Sequence, residues 1–181
     1  MLFRRSFPIG LLLFCLSAGA ASVESASDPK FPIQGLRAFR FSGGARAEDD
    51  SLSKDFPLAR AIGERLAGEL TAIGIRQDQT EADFLVAFYA KSMMRSSWGS
   101  LGYTSWDTSA NLMGEPYQKG TVIVDFVSVR TNQLVWRGVA GGVLEAKGRE
   151  KALPETFFKL IQSFQKLAQK QAKKEMTKKE K

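Results

Sequence analysis

The sequence predicts an α+β fold: a mostly antiparallel sheet of about four strands, with two helices packed on one face. Two short apolar runs are joined by a polar turn, as in a β-hairpin. Two longer segments repeat apolar residues at helical spacing, so each has one stripe to bury. The resulting order is β-α-β-β-β-α, with no internal repeat and no second core.

A strand and a helix open the predicted domain. Residues 36–41 alternate between apolar and other side chains, which is typical of a half-buried strand. A helix follows over 56–73, where Asp55 has the side chain of an N-cap and Pro57 suits the first turn. The apolar stripe of this helix consists of Leu58, Ile62, Leu66, Leu70 and Ile73.

Three further strands and a second helix follow. Residues 82–90 are almost entirely apolar and aromatic, which favours a buried central strand. Residues 121–129 and 134–143 flank a short polar turn and form the hairpin. The last helix runs over 154–170, and its apolar residues make one stripe suited to packing on a sheet. That stripe consists of Phe157, Leu160, Ile161, Phe164 and Leu167.

The first twenty residues have the pattern of a secretory signal peptide. Arg4 and Arg5 supply the positive start, 7–16 form a short apolar run, and small residues end the segment at Ala20. The apolar run is too short to cross a bilayer as a helix. We therefore expect export, cleavage after Ala20, and a periplasmic or secreted protein.

A rival interpretation is a lipoprotein that is acylated at Cys15. Lipid attachment sites require a small residue before the cysteine, and here Phe14 precedes it. Cleavage after Ala20 would also remove Cys15. We therefore expect no lipid anchor.

The remaining chain divides into three parts by composition. Residues 21–35 are rich in Ser, Ala and Pro and indicate a flexible lead-in. Residues 36–165 form the single domain, and 166–181 form a helical or disordered tail with seven lysines and two glutamates. Residues 21–165 carry 17 basic and 17 acidic residues, so the high pI belongs to the ends. A nucleic-acid-binding domain would carry its basic charge on the folded surface, so we expect no nucleic-acid partner.

The residue types present exclude several kinds of chemistry. The chain has no histidine, and its single cysteine is Cys15. After cleavage, no Ser-His-Asp or Cys-His nucleophile and no zinc site built on imidazole or thiolate can form. Carboxylate chemistry stays open, but no carboxylate pair or calcium-loop motif is evident. We expect no enzyme activity, cofactor or metal.

One candidate site is an ion pair across the hairpin. If its loop has three residues, Leu134 and Trp136 share a face with Val122, Val124 and Phe126, and Asp125 and Arg137 become near-diagonal neighbours on the other face. The pair can face a ligand, or it can be a partly exposed cross-strand ion pair of little energetic weight.

The long loop over 92–119 is the other candidate. It is rich in Gly and Ser and carries Trp98, Tyr103, Trp106 and Tyr117. Loops of this length within compact domains are often functional. Exposed Tyr and Trp supply contact area at low entropic cost. The loop either binds a partner or covers the face of the sheet that the helices leave open.

Three segments resemble a known family. They are Glu81–Val86, Gly120–Val127 and Leu134–Gly138. Together they are similar to the family called domain of unknown function 4136, over roughly residues 36–165. The resemblance implies a small bacterial envelope protein, often a lipoprotein, with no established activity. Phe14 departs from the lipoprotein pattern, and Ser128 stands where many members have a second acidic residue.

These observations lead to three functional hypotheses. The first is a periplasmic binding or scaffolding module that recognises an envelope protein or polymer through the loop and the open sheet face. The second is a membrane-peripheral protein held by weak contact of the lysine tail with anionic lipids. The third, which the absent side chains disfavour, is a carboxylate-based hydrolase.

Overall fold

The computed structural model describes residues 21–42, 50, 52, 54–91, 104 and 120–179. Six strands lie within these residues: β1 (Ser22–Ser27), β2 (Ala38–Phe41), β3 (Arg76–Gln77), β4 (Phe84–Lys91), β5 (Thr121–Ser128) and β6 (Leu134–Gly141). The helices are α1 (Phe56–Ala72), α2 (Arg149–Lys179) and a short 3-10 helix (Ile33–Gly35). The predicted signal peptide and most of the 92–119 loop lie outside the described residues.

The strands form one mixed sheet in the order β1-β6-β5-β4-β2-β3. The first four strands in this order pair antiparallel, whereas β2 pairs parallel with both β4 and β3. The α+β class is confirmed. The predicted sheet of about four mostly antiparallel strands is wrong, because the sheet has six strands and two parallel pairings.

The parallel pairings follow from the position of α1. A helix between two strands carries the chain back to the end of the sheet where the previous strand began, so the next strand runs parallel to the previous one. Both β3 and β4 follow α1 and pair parallel with β2. The side chain of Asp83 joins these elements, because its Oδ2 accepts the backbone N–H groups of Arg37 and Ala38 at 2.8 and 2.9 Å.

Strand β1 lies in the segment that we predicted to be a flexible lead-in. It pairs with β6 over its full length, from Ser22 opposite Gly141 to Ser27 opposite Trp136. A Cβ atom at Gly141 would collide with the Ser22 hydroxyl, so glycine permits this close approach. Val23 packs against the main core. Pairing and packing therefore override the weak strand propensity of a Ser-rich segment.

Both helices pack their apolar stripes on the same face of the sheet. The core there joins α1 and α2 to the aromatic side chains of β4, β5 and β6. Phe126, Trp136 and Phe164 lie at its centre, with ring centroids 4.5–5.6 Å apart. Helix α1 begins as predicted, since Oδ1 of Asp55 accepts the N–H of Leu58 at 3.1 Å.

Helix α2 extends in both directions beyond the predicted 154–170. It begins at Arg149, so Pro154 lies inside it rather than at its start. Described residues of the lysine-rich segment continue the helix to Lys179, which is consistent with the strong helix propensity of Lys, Gln, Ala and Glu. No helix within the described residues is long and apolar enough to span a membrane.

The turn between β3 and β4 is organised by Asp78. Its carboxylate accepts the backbone N–H groups of Glu81 and Thr80 and the Thr80 hydroxyl at 2.9–3.0 Å. These hydrogen bonds, led by that from Glu81, stabilise the charged form and lower the pKa of Asp78 to about 2. The side chain is 23% exposed, and its role is to shape the turn.

Candidate functional site

The exposed side of α2 carries a cluster of four lysines, which we call the lysine face: Lys166, Lys170, Lys173 and Lys174. At about 100° per residue in an α-helix, these four positions fall within an arc of about 100°. The residues that α2 packs against the sheet, such as Phe157 and Phe164, lie on the opposite side of the helix. All four lysines are exposed, so their charges face solvent together.

The end of α2 extends beyond its last anchoring contact. Among the described residues, the last side chain of α2 that is hydrogen-bonded to another element is Gln171. Its Oε1 accepts the N–H of Ile33 at 3.1 Å, and its Nε2 donates to the carbonyl of Asp28 at 3.4 Å. Every side chain from Lys173 to Lys178 is exposed. The lysine face therefore begins before this contact and continues past it.

The spacing of these lysines is unfavourable for the isolated helix. Lys166 and Lys170, and again Lys170 and Lys174, are four residues apart, where like charges repel by about 0.2–0.5 kcal/mol per pair. The helix dipole stabilises cations only within the last turn. Lys166 and Lys170 lie well before that turn. All four lysines of the lysine face precede the last turn of α2, which ends at Lys179, so the dipole does not explain their presence.

The predicted ion pair forms, but in a different environment. Asp125 and Arg137 lie directly opposite each other rather than diagonally, and both side chains are 0% exposed. Nε of Arg137 lies 2.6 Å from Oδ1 of Asp125, and Nη2 lies 2.5 Å from Oδ2. The hydroxyl of Tyr89 lies 3.2 Å from Oδ2 and 3.0 Å from Nη2. The expectation of partial exposure is wrong.

A bulge in the hairpin explains the change in register. Pairing shifts between Phe126 and Val127, so that Trp136 lies opposite Phe126 and Leu134 lies opposite Val127. Leu134 therefore packs with Val127 in a small cluster on the face of the sheet opposite the helices, which we call the second face. We predicted Leu134 on the same face as Trp136, and that prediction is wrong.

The second face of the sheet is not open at its centre. Ile123, Asp125 and Arg137 are all 0% exposed, although both described α-helices pack on the other face. A partner could not reach these side chains without a rearrangement. The part of the first hypothesis that needs an open sheet face is therefore not supported at this position.

The aromatic candidates Trp98, Tyr103, Trp106 and Tyr117 lie outside the described residues. Within 92–119 only Thr104 is described, and it pairs with the hairpin turn. Its N–H donates to the carbonyl of Asn132 at 3.2 Å, and its carbonyl accepts the N–H of Leu134 at 2.8 Å. Binding through this loop stays a prediction. In the described part of the chain, no three acidic or other ligating side chains are grouped so as to hold a metal ion.

Comparison with known proteins identifies the family. The sequence model of the family described as domain of unknown function (DUF4136) matches residues 23–164. The chain belongs to the DUF4136 family. This confirms the resemblance found in the sequence, and DUF4136 is itself a domain of unknown function. No curated protein matches the chain.

Solved structures resemble this DUF4136 chain only distantly. A DUF4136 family protein from Bacteroides thetaiotaomicron is 14% identical, with a TM-score of 0.47 over 82% of this chain and 95% of that chain. A single-residue variant of the PelC dodecamer from Paraburkholderia phytofirmans is 15% identical, with a TM-score of 0.44 over 81% and 98%. A PDZ domain protein from Parabacteroides distasonis is 16% identical, with a TM-score of 0.47 over 80% and 36%. Likenesses at this level carry no information on what the chain binds.

Proposed function

We propose that this DUF4136 protein is an exported, non-enzymatic component of the bacterial envelope that binds anionic membrane surfaces through the lysine face of α2. The observation that carries the proposal is the arrangement of Lys166, Lys170, Lys173 and Lys174 on one exposed side of a continuous helix. The pattern of the first twenty residues supports export. The absence of histidine and of any cysteine except Cys15 supports a non-enzymatic role.

The energy of such a contact is sufficient for reversible binding. A lysine near an anionic leaflet contributes about 1 kcal/mol, so the lysine face supplies about 4 kcal/mol at low salt. The phosphate groups also relieve the repulsion between lysines four residues apart. Met176 is 59% exposed on the same helix and adds an apolar side chain beside the lysines. Because these charges are exposed, salt screens the attraction over about 8 Å at physiological ionic strength.

Co-sedimentation with lipid vesicles tests the proposal. We expect the protein to bind phosphatidylglycerol-containing vesicles and not pure phosphatidylcholine vesicles, with binding lost at high salt. A variant with all four lysines of the lysine face changed to Gln should lose most of this binding. The matched control makes the same charge change at four exposed lysines elsewhere, namely Lys30, Lys54, Lys147 and Lys151.

The control variant should retain binding, because its substitutions lie outside the lysine face. Equal loss in both variants would mean that net charge alone drives the attraction, and unchanged binding in the first variant would exclude the lysine face. Export is tested separately by mass spectrometry of the protein from the periplasmic fraction. We expect a new N-terminus at Ala21, and a full-length cytosolic protein would contradict this part of the proposal.

A further inference from the structure

A groove of about 480 Å³ lies between α1 and the first turns of α2. Ile62 and Phe157 line it and are buried, so they form its floor. Leu58, Leu153 and Pro154 line it and are half-buried, so they form its walls. Two helices packed tightly along their whole length would bury these wall residues, whereas here they remain accessible.

The volume and lining of the groove are those of a small-molecule site. Ligand pockets of proteins span roughly 300–1,000 Å³ and combine an apolar lining with a few polar groups. The lining here is largely apolar, with charged side chains at Asp55, Arg65, Arg149 and Glu150. An elongated apolar ligand would complete the burial of the half-exposed walls.

The charged side chains differ in their availability. Asp55 already accepts the N–H of Leu58 at 3.1 Å. Arg65 forms an ion pair with Glu69 at 2.5 Å. Arg149 is exposed and forms no ion pair with any other residue in the described part of the chain. It is therefore the cation that can receive the head group of an anionic ligand.

We propose that this groove binds a single-chain fatty acid, with the alkyl chain between α1 and α2 and the carboxylate at Arg149. The largely apolar lining and the guanidinium of Arg149, which forms no ion pair with a described residue, favour this ligand over a sugar. Both helices begin at the groove, but the carboxylates of Asp55 and Glu150 already lie at their first turns, so the attraction for a ligand carboxylate comes from Arg149. The site is separate from the lysine face, which lies at the other end of α2.

Isothermal titration of the protein with laurate, kept below its micelle concentration and without vesicles, tests the proposal. We expect saturable binding of one laurate per chain. Ala61→Trp places a large side chain at the exposed rim of the groove and should weaken binding at least tenfold. Ala72→Trp is the matched control, because Ala72 is exposed on the same helix outside the groove. The thermal midpoint of both variants shows whether they remain folded.

The head-group assignment has its own test. Arg149→Gln should weaken laurate binding several-fold and leave dodecanol binding unchanged, while Lys151→Gln, the neighbouring exposed cation outside the groove, should affect neither. Absence of saturable laurate binding, or equal binding by Ala61→Trp and Ala72→Trp, would overturn the proposal. The quadruple Gln variant of the lysine face should bind laurate normally, so failure of the membrane proposal would leave this result intact.

Discussion

The guanidinium of Arg137 and the carboxylate of Asp125 form a buried ion pair between β6 and β5. Desolvating two charges costs several kcal/mol each, and close bidentate contact offsets that cost only when both partners are present. The Tyr89 hydroxyl lies within 3.2 Å of both side chains and adds to the network. The pair therefore adds little net stability while both partners are present, but loss of either partner leaves a buried charge unpaired.

Removal of one partner should be strongly destabilising. We expect Arg137→Met to lower the free energy of unfolding by about 3–5 kcal/mol, because Asp125 would remain buried and unpaired. The double variant Asp125→Leu/Arg137→Met should recover most of this loss. Urea denaturation measures both effects.

A second ion pair provides the control for this prediction. Arg60 and Glu64 are joined at 2.7 Å on the exposed side of α1, and Arg60→Met should leave the urea midpoint unchanged. A similar midpoint for Arg137→Met and Arg60→Met would contradict the assignment of the Asp125–Arg137 pair to a desolvated site.

The hairpin sequence was enough to predict that Asp125 and Arg137 would pair, since both positions follow from the alternation of the two strands. Their burial was not predictable, because it depends on what covers the second face. The role of Tyr89 could have been found. In an alternating strand it points to the same side as Leu85 and Ala87, and therefore toward Asp125 on the neighbouring strand.

At the scale of secondary-structure elements, helices were easier to predict than the sheet. Each helix has apolar residues at helical spacing within its own segment, and this local pattern predicts the helices over 56–73 and 154–170. Strand β1 has no such period in Ser22–Ser27, because its conformation is set by pairing with a strand more than a hundred residues away. The bulge after Phe126 likewise leaves no local signal, and it reversed the face assigned to Leu134.

The packing of α2 on β6 depends on the absence of a side chain at Gly138. A Cβ atom there would collide with the Trp136 ring and lie 2.7 Å from Cδ1 of Leu160. We expect Gly138→Ala to destabilise the fold by about 1–3 kcal/mol, because the helix would have to move away from the strand. Denaturant unfolding measures the change.

We expect the same substitution at Gly68 to raise stability rather than lower it. Gly68 lies within α1, and a Cβ atom there would meet nothing within 4 Å. Gly68→Ala should therefore stabilise the protein by about 0.5–1 kcal/mol through helix propensity. Equal effects at the two positions would mean that α2 does not approach β6 as closely as the contacts of Gly138 indicate.

For the whole molecule, the net positive charge after residue 20 lies in the C-terminal segment, whereas most of the packed core lies before it. Residues 21–165 are electrically neutral in sum, whereas 166–181 carry a net charge of +5. Composition alone predicted this separation. The sequence left a helical tail and a disordered tail as alternatives. The described residues of the tail continue α2 as one helix, and this continuity places the four lysines on one face. We therefore expect the fold to be stable without residues 173–181, which follow Gln171, and the proposed electrostatic attraction to a membrane to depend on them.

Truncation can separate these two roles. Deleting 173–181 removes Lys173, Lys174 and the lysines that follow but leaves Gln171 bound to Ile33 and Asp28. We expect an unchanged free energy of unfolding and a large loss of binding to phosphatidylglycerol vesicles.

A longer truncation should behave differently. Deleting 166–181 also removes Leu167 and Ala168, which pack against the core, and the hydrogen bonds of Gln171. We expect a loss of about 2–4 kcal/mol in the free energy of unfolding, from lost apolar burial and two hydrogen bonds. If the shorter deletion were equally destabilising, the segment after Gln171 would be part of the packed fold. Its lysines would then have to be explained by stability rather than by attraction to a membrane.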